Sequence, residues 1–525
     1  MADTPQQNKT PSFVHELPLR VNAGQEKVLL TRMDMARQLY NACLGQSLKR
    51  LSLVRKSEQY REARALPCTE KKARSAAFRA VNKTYGFLEY EIHKFAVQDK
   101  NACHIGLHLD VHTVQKIASR AFGAVQMYAF GERGRPRFKG KDQIVSVESK
   151  SNLAGIRWRT DNCRSRIEWS GLVLPCMLDK KDKHGVQAHA LSLRTKYVRL
   201  VCRKVGCKKL FYAQLVQEGY PKQKAKNRVS GKSVAVDIGP STYGLYTPEY
   251  AELDVFCGQL DSIHAGIRVL SRTLDRSRRA NNPDNYNRDG TVKKGKKEWT
   301  VSKRYRKTKS MLSDLHRKQA EERKSLQGRL CNRILSLGNI VKIEKLSYRS
   351  FQRNFGKSVG FRAPGMFVSI LHRKAESAGG KVIELPAHKL KLSQTCHCGH
   401  VEKKPLSQRW HKCPECGAVA QRDLYSAFLA YYVQNDVLDT AMAKASWPSA
   451  EPLLEQVVSR LLHQSANKGI VFPRSFGLHI SGQSKSRSPV KESYAETDSR
   501  YVMSRPFWSN IPEKGLDETF RTPGL

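Results

Sequence analysis

The chain has 525 residues, which is long enough for several domains, each with its own core. It contains 93 Lys and Arg against 47 Asp and Glu, a formal net charge of +46, and 40% of its residues are hydrophobic. The charge excess predicts a nucleic-acid partner, because a polyanion relieves the self-repulsion, and the hydrophobic content excludes a wholly disordered chain.

The sequence also bears on where the protein works. No apolar run approaches the roughly 18 residues needed to span a bilayer, so an integral membrane protein is excluded. The segment from Met1 to Ser12 is polar and lacks the hydrophobic region of a signal peptide. We therefore expect a cytoplasmic protein whose 13 cysteines are reduced thiols and metal ligands rather than a disulfide framework.

The first part of the chain predicts one strand followed by helices. Phe13 to Leu19 alternates like a strand, and we assign residues 1–24 to an N-terminal tail and the first strand of a later β-domain. Helical patterning rich in Arg and Lys then covers 25–129. It predicts a basic helical bundle, although an ordinary helical domain with a solvated charged face has the same pattern.

Residues 130–229 predict a small β-barrel or sandwich. Gly and Pro break the helical pattern near 130, and short alternating strands follow to about Gln217. At the start of this region one aromatic residue stands among basic residues, a composition that suits nucleic acid through charge and stacking. The predicted contact residues are Arg133, Arg135, Arg137, Phe138 and Lys139.

Three acidic residues in the second half predict a site for Mg²⁺ or Mn²⁺. Asp237 and Glu344 each end a buried strand, and Asp423 opens a short helix, within a strand–helix alternation that predicts an α/β layer. Alone, each has an ordinary use as a turn former, a helix cap or half of a surface pair. Together they match the carboxylate oxygens that hard cations prefer, and two such cations about 4 Å apart support phosphodiester hydrolysis.

Four cysteines predict a structural zinc ribbon. Cys396 and Cys398 are followed by Cys413 and Cys416, and two such pairs suit one tetrahedral Zn²⁺ with no open position. The first pair has only one intervening residue, so histidines remain alternative ligands. These histidines are His397, His400 and His411. Basic and aromatic residues of the ribbon and its exit are predicted to contact nucleic acid: Lys403, Lys404, Arg409, Trp410, Lys412 and Arg422.

These stretches resemble the TnpB and compact Cas12 (type V CRISPR effector) family. The resemblance is carried by Val236-Asp237-Ile238-Gly239, the strand ending in Glu344, Leu392-Ser393-Gln394-Thr395-Cys396, Cys413-Pro414-Glu415-Cys416-Gly417, Gln421-Arg422-Asp423 and Gly134-Arg135-Pro136-Arg137-Phe138-Lys139. It implies a multidomain α+β fold, in which an N-terminal helical bundle and a β-barrel, wedge-like lobe precede an RNase H-like α/β RuvC domain with an inserted zinc ribbon.

The resemblance also implies domain limits. They are 1–24 for the tail and first barrel strand, 25–129 for the helical recognition domain, 130–229 for the wedge barrel, 230–390 and 421–445 for the RuvC domain, 391–420 for the zinc ribbon, and 446–525 for a largely disordered C-terminal extension.

The function implied by the resemblance is RNA-guided DNA cleavage. Such a protein binds a guide RNA, recognises target DNA next to a short flanking motif, and cuts it by divalent-metal chemistry. Asp237, Glu344 and Asp423 would be the catalytic residues. The setting would be a prokaryotic cytoplasm, with the protein associated with the nucleoid when bound to DNA, as a monomer or a dimer.

Two departures from the family pattern keep other functions open. The first cysteine pair is one residue short, and Tyr425 stands where the family commonly has Asn, two residues after the last acid. The alternative function is therefore an RNA-guided DNA-binding protein with weak or no cleavage. A third, a DNA-transposition enzyme using the same acids, is the least favoured because the chain shows no helix-turn-helix reader.

Overall fold

The computed structural model describes residues 10–161, 164–206, 208–295, 297–405, 407–468 and 472–478. The described chain divides between Arg228 and Val229 into two compact units. The C-terminal tail predicted to be disordered lies mostly outside the described residues. Among the described residues, no helix is long and apolar enough to cross a membrane.

The first unit combines helices with two antiparallel sheets. Its helices are α1 (Ala23–Lys56), α2 (Glu58–Ala65), α3 (Lys71–Thr84), α4 (Glu89–Ala102), α5 (Val111–Ala129) and α6 (Val186–Ser192). Its strands are β1 (Ser12–Pro18), β2 (Ser146–Glu148), β3 (Arg157–Asp161), β4 (Arg164–Trp169), β5 (Leu172–Pro175), β6 (Thr195–Val205) and β7 (Lys208–Glu218).

Helix α1 shows how the sequence starts the helical part. Asn22 accepts a hydrogen bond from the backbone N–H of Gln25, and the Gln25 side chain accepts one from the Asn22 N–H. This capping box satisfies N–H groups that a helix start leaves unpaired. Downstream, buried residues follow at spacings of three and four, including Leu29, Met33 and Ala36, so one face of α1 joins the core.

The prediction of a closed β-barrel in the first unit is wrong for the described residues. They form an open sheet in the order β1-β7-β6-β2 and a separate sheet β3-β4-β5. Closure requires the two edge strands to pair, but the edge strand β2 has only three residues, Ser146–Glu148. A single isolated bridge, Leu19 with Cys176, links the end of β1 to the end of β5.

The helices and sheets of the first unit share one hydrophobic core. The buried Arg32 links helix α1 to the sheet β3-β4-β5. It donates to the carbonyl oxygens of Trp169 (2.6 Å) and Ser170 (2.8 Å). Its guanidinium lies 4.7 Å from the centre of the Trp169 ring. The Trp169 indole N–H in turn donates to Asp110 at the start of α5. Both terminal nitrogens of the Arg32 guanidinium and the Trp169 indole nitrogen are therefore paired at this junction.

The second unit is built on a mixed sheet. Its helices are α7 (Asp261–Ala280), α8 (Lys303–Leu337), α9 (Tyr348–Arg362), α10 (Pro364–Ser377), α11 (Ala387–Leu390), α12 (Arg422–Tyr431) and α13 (Thr440–Lys468). Its strands are β8 (Ser233–Ile238), β9 (Thr242–Thr247), β10 (Tyr250–Val255), β11 (Ile340–Glu344), β12 (Lys381–Leu385), β13 (Trp410–Lys412), β14 (Val419–Gln421), β15 (Val433–Gln434) and β16 (Val437–Leu438).

Five strands form the central sheet of this unit, in the order β10-β9-β8-β11-β12. β8, β11 and β12 run parallel, whereas β9 and β10 pair antiparallel in a meander from β8. Side chains of β8 alternate between two cores: Val234 and Val236 join the core containing α8 and α10, whereas Ala235 joins the core containing α12 and α13. The sheet is therefore covered by helices on both faces, a mixed α+β architecture.

The chain between β12 and α12 forms a small separate hairpin. β13 and β14 pair antiparallel, and β14 leads directly into α12. This segment carries the four cysteines of the predicted ribbon. Because Ala418 and Ala420 of the hairpin are buried in the same core as α12, the hairpin packs against the sheet face that α12 covers.

Candidate functional site

The strand register places Asp237 and Glu344 side by side. β8 and β11 are parallel and pair Val236 with Ile343, so the next residues of the two strands are neighbours. Both carboxylates lie on the face covered by α12. Glu344 shares this face with Lys342, whose ammonium donates to the carbonyl oxygens of Tyr431 (2.5 Å) and Val433 (2.8 Å) at the end of α12.

Asp423 reaches the same region from the start of α12, and it is 8% exposed. Asp237 pairs with Gly244 across β8 and β9. A Cβ atom on Gly244 would lie 2.6 Å from the Asp423 carbonyl oxygen, so only glycine lets α12 begin this close to the sheet. The Thr242 hydroxyl donates to Asp423 Oδ2 at 3.1 Å and fixes the carboxylate.

All three carboxyl groups have raised pKa values, and at Asp237 the other two acids contribute to the rise. Burial, then the charges of Asp423 and Glu344, raise the pKa of Asp237 well above its usual range, and Arg422 offsets part of this rise. Burial raises the pKa of Glu344 to about 7. Burial also raises the pKa of Asp423, against the opposing effects of Arg422 and the Thr242 hydrogen bond. Three buried carboxyl groups with raised pKa values favour a cation as their counter-charge.

The spacing of these acids differs from that of the cysteines. Among the described residues, only Cys396, Cys398, Cys413 and Cys416 form a group of three or more His, Cys, Asp or Glu ligand atoms lying within 4.8 Å of one another. The three carboxylates therefore do not close around a single ion as they stand. Their hard oxygen donors and their raised pKa values fit divalent cations that the acids share between them.

The four cysteines could hold a metal ion. The Sγ atoms of Cys396 and Cys416 are 3.5 Å apart, and those of Cys398 and Cys413 are 3.7 Å apart. Four Zn–S bonds of about 2.3 Å in a tetrahedron separate the sulfurs by about 3.8 Å, so the donor set fits Zn²⁺. The predicted alternative histidines lie outside this group. When bound, the ion would cross-link the two cysteine pairs, and no position would remain open for catalysis.

Tyr425 belongs to the cysteine cluster rather than to the carboxylates. Its side chain is 1% exposed, and its hydroxyl lies 3.2 Å from Cys396 Sγ and 2.9 Å from the backbone nitrogen of His397. Two residues along an α-helix turn through about 200°, so Asp423 and Tyr425 leave α12 in nearly opposite directions. The aromatic substitution therefore does not place a side chain among the acids.

The basic segment at the start of the predicted wedge is fixed by its backbone and exposed at its side chains. The Lys139 N–H donates to Asn41 Oδ1 at 2.8 Å, and Asn41 Nδ2 donates to the Lys139 carbonyl at 2.9 Å. Phe138 is 55% exposed, and Arg133 and Arg135 are exposed beside it. Arg137 is exposed as well. Lys139 is half-buried, with its ammonium 5.5 Å from the centre of the Tyr40 ring.

Most of the predicted contact residues near the ribbon are less exposed than those around Phe138. Arg422 donates to the carbonyl of Gln408 at 3.1 Å, and Trp410 donates through its indole N–H to the carbonyl of Gly477 at 3.1 Å. Arg409 is half-buried. Lys404 is buried, and its ammonium donates to His411 Nδ1 and the Lys412 carbonyl. Of the predicted contact residues of the ribbon, Lys403 and Lys412 are exposed.

A further basic surface lies where α7 and α8 are joined, and we call it the basic tip. The sequence from Asn281 to Lys297 predicts a polar, basic loop at this place. The exposed cations of the tip are Arg276, Arg279, Arg288, Lys293, Lys294, Lys303 and Arg304. Side-chain contacts join parts of the tip. The Asn282 side chain donates to the Thr300 carbonyl and accepts from the Thr300 N–H, and Arg278 lies 5.3 Å from the centre of the Trp299 ring.

A comparison with protein-family models found a match in the second unit. Residues 365–429 match the family model described as "Cas12f1-like, TNB domain". The matched segment contains all four cysteines and Asp423, whereas Asp237 and Glu344 lie before it. The resemblance to the TnpB and compact Cas12 family is confirmed. A comparison with curated proteins found no match.

Solved compact Cas12 structures also align with the chain. A cryo-EM structure of a Cas12f1–sgRNA–target DNA complex aligns at 13% identity, covering 80% of this chain and 98% of that chain, with a TM-score of 0.44. A cryo-EM structure of a CRISPR-Cas12f ternary complex aligns at 14% identity, covering 81% and 99%, with a TM-score of 0.29. The mini-RNA-guided endonuclease CRISPR-Cas_phi3 aligns at 15% identity, covering 54% and 57%, with a TM-score of 0.26.

Proposed function

We propose that the protein is an RNA-guided DNA endonuclease. It would bind a guide RNA, recognise target DNA next to a short flanking motif and cleave that DNA with Asp237, Glu344 and Asp423. The observation that carries the proposal is the meeting of these acids from two neighbouring strands and one helix start on one sheet face. The Cas12f1-like match over the ribbon and Asp423 supports the same activity.

The topology supports an RNase H-like, RuvC-type core. Three parallel strands are extended by an antiparallel meander. The central strand β8 and its parallel neighbour β11 carry two of the acids, Asp237 and Glu344. Two divalent ions bound by such acids would activate a water molecule and stabilise the charge that develops on the leaving oxygen of a phosphodiester. Thr242 holds the Asp423 carboxylate, and Lys342 holds the far end of the helix that carries it.

The charge distribution supports nucleic acid as the partner. A chain of net charge +46 gains affinity from each phosphate it neutralises, and this affinity falls steeply with salt. The segment containing Phe138 offers an exposed aromatic ring beside exposed arginines, which suits stacking on a base together with phosphate contact. We infer that this segment and the basic tip contact the guide RNA or the target DNA.

The non-cleaving alternative loses part of its support. Of the two departures that suggested it, Tyr425 has its hydroxyl at Cys396 and His397 rather than among the acids. Binding without cleavage is therefore kept as an outcome of the test below rather than as a second proposal.

The proposal is tested by guide dependence. The protein is purified with the RNA that accompanies it, that RNA is sequenced, and cleavage in Mg²⁺ is measured on one DNA matching its variable part and on one scrambled DNA. We expect cuts only in the matched DNA, and only with the flanking motif present. Tight binding of matched DNA without cuts in Mg²⁺ or Mn²⁺ would favour the non-cleaving function. Cuts or strand transfer without RNA would contradict guided recognition.

A further inference from the structure

Tyr425 connects the cysteine cluster to the helix that carries Asp423. The ring packs against His411, with ring centres 4.1 Å apart, and the hydroxyl meets three groups. These are Cys396 Sγ at 3.2 Å, the His397 backbone nitrogen at 2.9 Å and His397 Nδ1 at 2.9 Å. A buried tyrosine hydroxyl needs such partners, and here all of them belong to the first cysteine pair or the residue inside it.

The hydrogen-bond roles follow from counting donors and acceptors. A tyrosine hydroxyl offers one proton and two lone pairs. The His397 N–H can only donate to it, and a metal-bound Cys396 thiolate can only accept. All three contacts are hydrogen bonds when the Tyr425 hydroxyl donates to Cys396 Sγ and accepts from both the His397 backbone N–H and His397 Nδ1–H. The 3.2 Å separation is normal for a bond to sulfur, so Tyr425 supplies an O–H to one thiolate of the cluster.

A second contact fastens the same helix start to the ribbon. The backbone N–H of Arg422 donates to the Arg409 carbonyl at 2.9 Å, and its guanidinium donates to the Gln408 carbonyl at 3.1 Å. Asp423 thus lies between two residues that bond to the ribbon, one on each side in sequence. A shift of the ribbon would move both neighbours and therefore the carboxylate.

We propose that Tyr425 is a positioning residue through which the metal-loaded cysteine cluster fixes the start of α12, and with it the Asp423 carboxylate. The inference rests on the proposed function only in assigning Asp423 to a divalent-metal site. Loss of the metal converts Cys396 to a thiol, which is a poor acceptor, and releases the cross-link between the cysteine pairs. The Tyr425 bond then weakens and the helix start loosens.

The first test reads the hydrogen bond itself. Co²⁺ replaces Zn²⁺ in the full chain, and its sulfur-to-cobalt charge-transfer band is recorded for wild type, Tyr425→Phe and Tyr246→Phe. Tyr246 is the matched control, because it is buried in the same core and packs against Phe428. A hydrogen bond lowers the energy of the sulfur electrons, so Tyr425→Phe should move the band to longer wavelength and Tyr246→Phe should not. An unmoved band in Tyr425→Phe would overturn the inference.

The second test reads positioning. Hydrogen exchange is measured on peptides covering 421–428 in zinc-loaded wild type, zinc-depleted wild type and zinc-loaded Tyr425→Phe. Exchange should quicken about 10-fold or more in the last two, and zinc removal from Tyr425→Phe should add little. Unchanged exchange in zinc-loaded Tyr425→Phe would overturn the positioning role even if the cobalt band moves. Neither readout needs nuclease activity.

The functional consequence is measured separately as Mn²⁺ affinity by electron paramagnetic resonance. Tyr425→Phe should weaken Mn²⁺ binding by about 10-fold, the scale on which loss of a supporting residue changes metal affinity. If wild type binds no Mn²⁺, or if Asp237→Asn binds it as well as wild type does, the proposed function fails. The cobalt and exchange results still decide the role of Tyr425.

Discussion

Glu344 lies in a setting that makes the metal-free protein sensitive to pH. Burial raises its pKa to about 7, whereas an unfolded glutamate titrates near 4.5. Between these values the folded state binds more protons than the unfolded state, so its stability falls as pH rises. The carboxylate is therefore a source of instability at neutral pH in the metal-free protein, and a divalent cation bound as the proposed function requires would offset it.

We predict that Glu344→Gln stabilises the metal-free protein at pH 8 by about 1–3 kcal/mol and has little effect at pH 4. The free energy of unfolding is measured by denaturant titration at both pH values. Mg²⁺ should stabilise wild type and should stabilise the variant less, because the variant has lost a ligand. The exposed Glu298 provides the control, since Glu298→Gln should change neither value. An identical pH profile for wild type and Glu344→Gln would contradict the prediction.

Gly244 determines how closely Asp423 approaches Asp237. We predict that Gly244→Ala displaces the start of α12, destabilises the fold by about 1–3 kcal/mol and lowers cleavage at least 10-fold, because the new Cβ would lie 2.6 Å from a carbonyl oxygen. Gly328 of α8 is the matched control. A Cβ atom added at Gly328 has no other atom within 4 Å, so Gly328→Ala should stabilise the folded state by about 0.5–1 kcal/mol through helix propensity. Equal cleavage by the two variants would count against the site.

The residues around the acids mark the limit of sequence reasoning. Asp237, Glu344 and Asp423 were predictable because a strand end or a helix start is a local signal. Thr242 and Gly244 were not, because their importance comes from a β8–β9 register and from a helix 181 residues away in the chain. The direction of Tyr425 could have been found, since two residues of helix turn a side chain to the opposite face.

The same limit applies at the scale of elements. Alternation predicted strands over 130–217, but pairing decides whether strands close into a barrel, and the short β2 leaves its sheet open. Local composition predicted a polar, basic loop between α7 and α8, and the structure has a loop there. The sequence alone does not connect Asn282 with Thr300, although hydrogen bonds join these two residues.

The basic tip yields a prediction about binding rather than chemistry. We expect the combined change of Arg288, Lys293 and Lys294 to Gln to weaken nucleic-acid binding at moderate salt. It should lower the slope of log affinity against log salt by up to about 3 on duplex, since each lost phosphate contact removes about 0.9. The slope is obtained from binding titrations at several salt concentrations.

A matched variant separates the tip from net charge. Changing Lys180, Lys181 and Lys183 to Gln removes the same charge from exposed positions of a loop in the first unit. We expect a smaller fall in slope than for the tip. Equal falls would show that the tip contributes only through overall charge.

For the whole molecule, the proposed function gives the two units different roles. The first unit supplies a basic helical and β-sheet framework with an exposed Phe138 segment. The second supplies the acids and a cysteine hairpin matched by the Cas12f1-like model. The domain limits predicted within each unit stay predictions, because the helices and sheets of the first unit share a single core.

The most direct test of the account compares cleavage with binding in three single variants, Asp237→Asn, Glu344→Gln and Asp423→Asn. Each is loaded with the guide RNA, and binding and cleavage of the matched DNA are measured in the same Mg²⁺ buffer. We predict target affinity within about 3-fold of wild type and cleavage reduced by about 10³-fold or more, because binding depends on phosphate contacts and cleavage on the metal-holding acids. Cleavage at the wild-type rate by any of the three variants would contradict the assignment of these carboxylates.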